Sequence, residues 1–236
     1  EMLRSLVGSE MCIRDRLMDK QIYIINGSPR KNWNTAHMCK SFSQGAETKG
    51  INTEIINLYD INFKGCRSCF ACKLKGGKNF GKCSYPDELT PILDKISYSD
   101  GLVFATPIYF GDVTGAMRSL LERLAFPFFE YKAGYPSIAP RKFPTAVIYT
   151  MNVTEDLSNQ MYHNVMEMFE WAIETAFTKP VRICAWDTYQ FNDYSKYEVE
   201  CFDVAHKKKQ HNEQFPKDLQ NAFNQGIIMA EKILNT

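Results

Sequence analysis

The chain has 236 residues, with 44% hydrophobic and 23% charged side chains and a formal net charge of +1. This composition is that of a globular protein. It excludes a disordered chain, a collagen-like repeat and a minimal disulfide scaffold, and leaves too little positive charge for a general binder of nucleic-acid backbones. No uncharged run exceeds twelve residues, short of the roughly 18 apolar residues that span a bilayer, so no membrane partner is expected.

Residues 1–17 mix charges through their apolar positions and lack the apolar core and small-residue cleavage site of an export signal. They read as a translated sequencing adapter ahead of a start at Met18. The expected organisation is this non-native leader, then one domain over 18–236 with a Cys-rich loop at 64–86 and a C-terminal extension.

The fold begins with an apolar strand from Gln21 through Ile25, a Gly-Ser-Pro turn, and a helix opening near Thr35. Further strands are expected at 51–58, 101–106, 145–150 and 181–186, and helices at 35–49, 89–97, 114–124, 158–177 and 216–234. Buried strands interleaved with helices predict an α/β fold, a flavodoxin-like doubly wound sheet of five parallel strands, ordered 2-1-3-4-5, with helices on both faces. The run Lys207 to Lys209 reads as a solvated face. Two aromatic segments, 126–144 and 187–202, exceed the minimal fold. Either could cover a ligand, although packing or a subunit contact is the commoner use.

Three stretches carry chemistry. The first loop, from Asn26 to Thr35, leaves a strand and enters a helix, so backbone N–H groups and the helix dipole converge on one point that suits a phosphate. Ser28, Asn34 and Thr35 add short polar groups and Arg30 a charge. The loop lacks both the Gly-Lys-Ser/Thr ending of a nucleotide-triphosphate loop and three spaced glycines, and an ordinary capped turn is its plainer alternative. The second loop, Pro107, Ile108, Tyr109, Phe110 and Gly111, ends the third strand. In the 2-1-3-4-5 order the ends of strands one and three flank the switch point where ligands bind, and these side chains suit a flat isoalloxazine ring. Taken alone they would more often be core.

The third stretch holds Cys66, Cys69, Cys72 and, after a Gly- and Lys-rich insert, Cys83. In a reducing cytoplasm such thiols favour metal or redox chemistry over disulfides. Two Cys-x-x-Cys steps sharing Cys69 can present three thiolates to one cluster, with Cys83 as the fourth corner of a [4Fe-4S] cubane. Zinc and metal-free thiols remain alternatives. Cys39, Cys184 and Cys201 read as small buried hydrophobes.

The paired loops, Gly27-Ser28-Pro29-Arg30-Lys31-Asn32 with Asn34-Thr35 and Pro107-Ile108-Tyr109-Phe110-Gly111, resemble the flavin loops of the NADPH-dependent FMN reductase and iron-sulfur flavoprotein family over about residues 21–177. The resemblance implies a flavodoxin-like fold, bound FMN and redox chemistry. Carried over, Ser28, Arg30, Asn34 and Thr35 would hold the phosphate, Pro107 to Gly111 would line the ring, and Thr150, Met151 and Asn152 match a third flavin loop in which Gly is common at the position of Asn152. Iron-sulfur flavoproteins carry a compact Cys motif at the corresponding place, with a shorter gap before the last Cys. The expected function is a cytoplasmic FMN-dependent oxidoreductase passing electrons from reduced nicotinamide or a protein donor to a small-molecule or protein acceptor. Homo-oligomers are common among such relatives. A flavin or iron-sulfur electron carrier, and a flavin-less zinc or partner-binding module, are the alternatives; no catalytic acid or base is assigned.

Overall fold

The structure is a computed structural model and describes residues 20–236; the leader and Cys12 lie outside the described residues. Five parallel strands, β1 (Gln21–Asn26), β2 (Asn52–Asn57), β3 (Gly101–Tyr109), β5 (Thr145–Thr150) and β6 (Val181–Ala185), form one sheet in the order β2-β1-β3-β5-β6. A short β4 (Asp112–Val113) pairs antiparallel with the end of β3. With β4 set aside the order is the expected 2-1-3-4-5. Sequence reading missed β4 and ended β3 three residues early, because two residues after a Gly carry no periodicity.

Alternate side chains of each strand go to opposite faces. Tyr23, Ile25, Leu102, Phe104, Val147 and Tyr149 pack under α2 (Leu89–Ser97), α3 (Gly115–Ala125) and α5 (His163–Ala176). Ile22, Ile24, Val103, Ala105, Ala146 and Ile148 pack under α1 (Asn34–Glu47) and the C-terminal α7 (Phe215–Leu234). Burial on both faces explains why these strands read as continuous apolar runs. The expected helix 158–177 is two helices, α4 (Glu155–Met161) and α5, broken at Tyr162 with φ −118. A further helix, α6 (Val204–Glu213), precedes α7. Among the described residues no helix is long and apolar enough to cross a membrane.

Candidate functional site

The first loop is shaped by close approach. The Gly27 N–H donates to the Ala105 carbonyl at 2.7 Å, and a Cβ there would lie 2.9 Å from Met117 Cε. The Ser28 N–H donates to Asn26 Oδ1 and the Arg30 N–H to Ser28 Oγ, both at 3.1 Å. Helix α1 then starts behind Trp33, which supplies no side-chain cap, and no acidic residue occupies the first turn. Its first N–H groups are therefore left to a ligand or solvent, and the helix dipole favours an anion there.

The second loop turns over Phe110 and Gly111, with φ of +51 and +78, between the paired residues Tyr109 and Asp112. Positive φ at both central positions marks a tight hairpin turn, which Gly adopts freely and Phe at a cost of roughly 1–2 kcal/mol. Such strain collects at functional sites. Phe110 is fully exposed at the tip. Behind it, Thr114 accepts from the Met117 N–H to cap α3 while its own hydroxyl donates to the Gly27 carbonyl at 2.8 Å, locking the two loops together.

Between these loops lies a cavity of about 490 Å³, lined by all twelve residues expected to hold the cofactor: Ser28, Arg30, Asn34, Thr35, Pro107, Ile108, Tyr109, Phe110, Gly111, Thr150, Met151 and Asn152. Thr35 and Thr150 hydroxyls meet at 2.7 Å, joining the first and third loops. Sequence reading missed five further lining residues, Trp33, Tyr162, Thr188, Tyr189 and Gln190. Trp33 lies within the first loop as read, and the Tyr-rich composition of 187–202 was the signal for the last three. Trp33 Nε1 and Asn34 Nδ2 both donate to the Tyr189 carbonyl, at 3.2 and 2.8 Å, and Arg30 donates to the Gln190 carbonyl at 2.7 Å. The other aromatic segment, 126–144, receives Lys73, whose ammonium donates to the Pro127 and Phe129 carbonyls.

The turn at 187–190 is held from behind. Asp187, itself at φ +54, pairs with Lys207 and with His206 Nε2, and Lys207 also donates to the Asn152 carbonyl at 2.5 Å. This corrects the expectation of a solvated lysine run, because Lys207 is buried on α6 while Lys208 and Lys209 are exposed. Burial, reinforced by Tyr59, raises the Tyr109 phenol above its ordinary value against the opposing charge of Arg30. Among the described residues, no lining residue of the cavity is a carboxylate, a histidine or a lysine.

A second, smaller recess is lined by Cys66, Cys69, Cys72 and Cys83 together with the end of α3. Cys66 and Cys69 are exposed, Cys72 is buried and Cys83 half-buried. Burial pushes the Cys72 thiol up, against the pull of Lys73. The loop is fastened to α3, where Glu122 accepts from the Cys66 N–H at 3.1 Å and Arg123 donates to Cys83 Sγ at 3.4 Å. Thiolates are the donors that an iron-sulfur cluster takes. In their present positions, among the described residues, no three Cys, His, Asp or Glu side chains stand close enough to hold one metal ion. Of the other cysteines, Cys39 and Cys184 are buried as expected and pushed up to about 12 by burial. Cys201 is exposed, which corrects its reading as a buried hydrophobe; it lies in an irregular segment outside both cores.

The profile of the NADPH-dependent FMN reductase family matches residues 21–177. An iron-sulfur flavoprotein of Archaeoglobus fulgidus is 38% identical over 103 residues, 44% of this chain and 48% of that protein. The chain thus spans about half the length of the curated relatives it matches. Among solved structures, an NAD(P)H:quinone oxidoreductase from Methanothermobacter marburgensis superposes with a TM-score of 0.65 at 14% identity, covering 88% of this chain and 96% of that one. An FMN-dependent NADH-azoreductase from Bacillus anthracis, solved in complex with FMN, gives 0.59 at 16% identity, covering 92% and 100%. At these identities the likeness concerns the fold, and the fold is flavodoxin-like. The matched span runs from β1 to the residue after α5 and contains all three loops that border the cavity, so the chain belongs to the NADPH-dependent FMN reductase family.

Proposed function

We propose that the chain binds FMN in the 490 Å³ cavity and works as an oxidoreductase between reduced nicotinamide, or a protein donor, and a small-molecule or protein acceptor. The observation that supports this reading is the closure of three sheet-edge loops and the 187–190 turn around one concave site of ligand size. FMN, when bound, supplies the hydride and electron chemistry.

The residues of the chain bind and orient. The open N-terminus of α1, with Ser28 and Asn34, suits the phosphate; Pro107 to Gly111 offer apolar surface and backbone amides to the ring. With no carboxylate or imidazole on the cavity wall among the described residues, the available proton donors are solvent and hydroxyls such as the Tyr109 phenol. Cys66, Cys69, Cys72 and Cys83 would hold a [4Fe-4S] cluster, which supplies one-electron chemistry beside a two-electron flavin. The seven unpaired cysteines among the described residues fit a reducing, cytoplasmic setting. The fully exposed Phe110 at the cavity rim favours a homo-oligomer that covers it.

Protein purified without oxygen tests these assignments together. The expected result is a flavin that chromatographs as FMN, iron and sulfide in equal amounts, and steady turnover with reduced nicotinamide. Recovery of FAD, or of no flavin after reconstitution with FMN, would overturn the cofactor assignment. Reversible reduction without nicotinamide turnover would make the protein an electron carrier instead.

A further inference from the structure

We infer that the turn at 187–190 is the specificity-determining element of the cavity: it admits a flavin that ends in one phosphate and rejects one that continues through a second phosphate into a nucleoside. The inference rests on the FMN reading proposed above. Two backbone carbonyls of the turn hold three residues of the first loop. Arg30 donates to the Gln190 carbonyl at 2.7 Å, and Asn34 Nδ2 and Trp33 Nε1 donate to the Tyr189 carbonyl at 2.8 and 3.2 Å.

The same turn is joined to the third loop. The Asp187 N–H donates to the Val153 carbonyl at 2.8 Å, and the Thr188 N–H and hydroxyl both donate to the Met151 carbonyl at 3.0 Å. Asn152 Nδ2 donates to Gln190 Oε1 at 2.5 Å. All four residues of the turn therefore take part in a strap between the first and third loops. From behind, Asp187 pairs with Lys207 and His206, Tyr189 stacks on His211 with ring centroids 4.4 Å apart, and the Gln190 N–H donates to the Tyr194 hydroxyl at 3.1 Å.

These bonds decide which donors remain for an anion. The first N–H groups of α1 stay open, and Ser28 Oγ, which accepts from the Arg30 N–H, keeps its own proton to give. That set suits one phosphate. A second phosphate would need further donors, and Arg30 is the one cation among the described lining residues. Its guanidinium is already held between the Gln190 carbonyl and the Trp33 ring, 3.8 Å from the ring centroid. The neighbouring groups of the strap, the carbonyls of Tyr189 and Gln190 and the Gln190 side-chain oxygen, are acceptors that oppose an anion. A diphosphate must therefore break the strap or go unpaired, and discrimination of this kind works against the wrong ligand.

The test compares wild type, Trp33→Phe and the double variant Tyr189→Gly with Gln190→Gly. Dissociation constants of the flavin-free proteins for FMN and FAD are read by isothermal titration calorimetry. Wild type is expected to bind FMN at least about a hundredfold more tightly than FAD, and the double variant to narrow that ratio about tenfold or more. Two glycines remove the stack on His211 and the Gln190 side chain, and they free the backbone that aims the carbonyls. Trp33→Phe removes one donor to the Tyr189 carbonyl and should narrow the ratio roughly threefold. An unchanged ratio in the folded double variant, or in Trp33→Phe where the double variant does not fold, would overturn this inference alone. So would a wild type that binds FMN and FAD equally. Wild type that binds neither flavin, or binds FAD the more tightly, overturns the FMN reading and this inference with it.

Discussion

The guanidinium of Arg30 lies 3.8 Å above the Trp33 ring and donates to the Gln190 carbonyl, so it is partly committed within the chain before any phosphate arrives. A charge-assisted hydrogen bond to phosphate is worth roughly 1.5–3 kcal/mol. Arg30→Ala should therefore weaken FMN about tenfold or more in a fluorescence titration while leaving riboflavin, which has no phosphate, nearly unchanged. Equal losses for both would mean that Arg30 acts by seating Gln190. The lining residues that sequence reading found all sit in short windows at or just after the carboxyl end of a strand, where the strand end and the turn that follows fix what the side chains can do. Tyr189 and Gln190 escaped it because they reach the cavity from the far end of the chain. They are seated by Asp187 in a left-handed conformation and by Lys207. In the sequence Lys207 is indistinguishable from its two lysine neighbours; only its azimuth on α6 sends it inward.

Helices α1 and α7 cross backbone to backbone through two glycines. A Cβ at Gly45 would lie 1.9 Å from the Phe223 carbonyl oxygen, and one at Gly226 would lie 2.1 Å from that of Phe42. Neither obstacle is a flexible side-chain end, so Gly226→Ala must push the helices apart. Overpacking of this kind costs about 1–3 kcal/mol, which a urea denaturation midpoint will register even though Ala is the better helix former. At the amino ends of β1 and β3, Asp100 accepts from the Gln21 N–H at 3.0 Å and pairs with Arg141 and Lys20. Burial works to raise its carboxyl, but these three donors outweigh it and hold it below the ordinary range. A depressed folded-state value means that its stabilisation is complete above the unfolded value near ~4 and is lost as pH falls through the folded one. Urea midpoints of Asp100→Asn should thus lie below wild type at neutral pH and converge on it in strong acid. Element boundaries were least visible where hydrogen bonding hides them: at Tyr162 the chain departs from helical φ, yet the Tyr162 N–H still reaches the Ser158 carbonyl and the Met166 N–H the Tyr162 carbonyl. Without Pro or Gly there, the run 158–177 reads as one helix.

At the scale of the molecule the strand order was legible because each buried strand is a compact apolar run set between helices, and a parallel sheet permits few connections between such units. The same order brings the ends of β1 and β3 side by side at the switch point, which is why two separated loops could be assigned to one ligand. The cysteine recess was legible only as a list of thiols; what fastens it, Arg123, lies some forty residues downstream at the end of a helix that looks ordinary. Helix α3 begins at the Thr114 cap that ties the flavin loops and ends at Glu122 and Arg123, which grip the cysteines, so one rigid element spans both sites over about 13 Å. Ordering either end restricts the other, and thermodynamic linkage makes such an influence mutual: with FMN and iron bound as proposed, the factor by which FMN tightens iron must equal the factor by which iron tightens FMN, within the 5- to 150-fold span usual for coupled sites. Chelator extraction should accordingly be slower from FMN-loaded than from flavin-free protein. The FMN dissociation constant, measured with and without iron, should move by the reciprocal of the change in iron affinity.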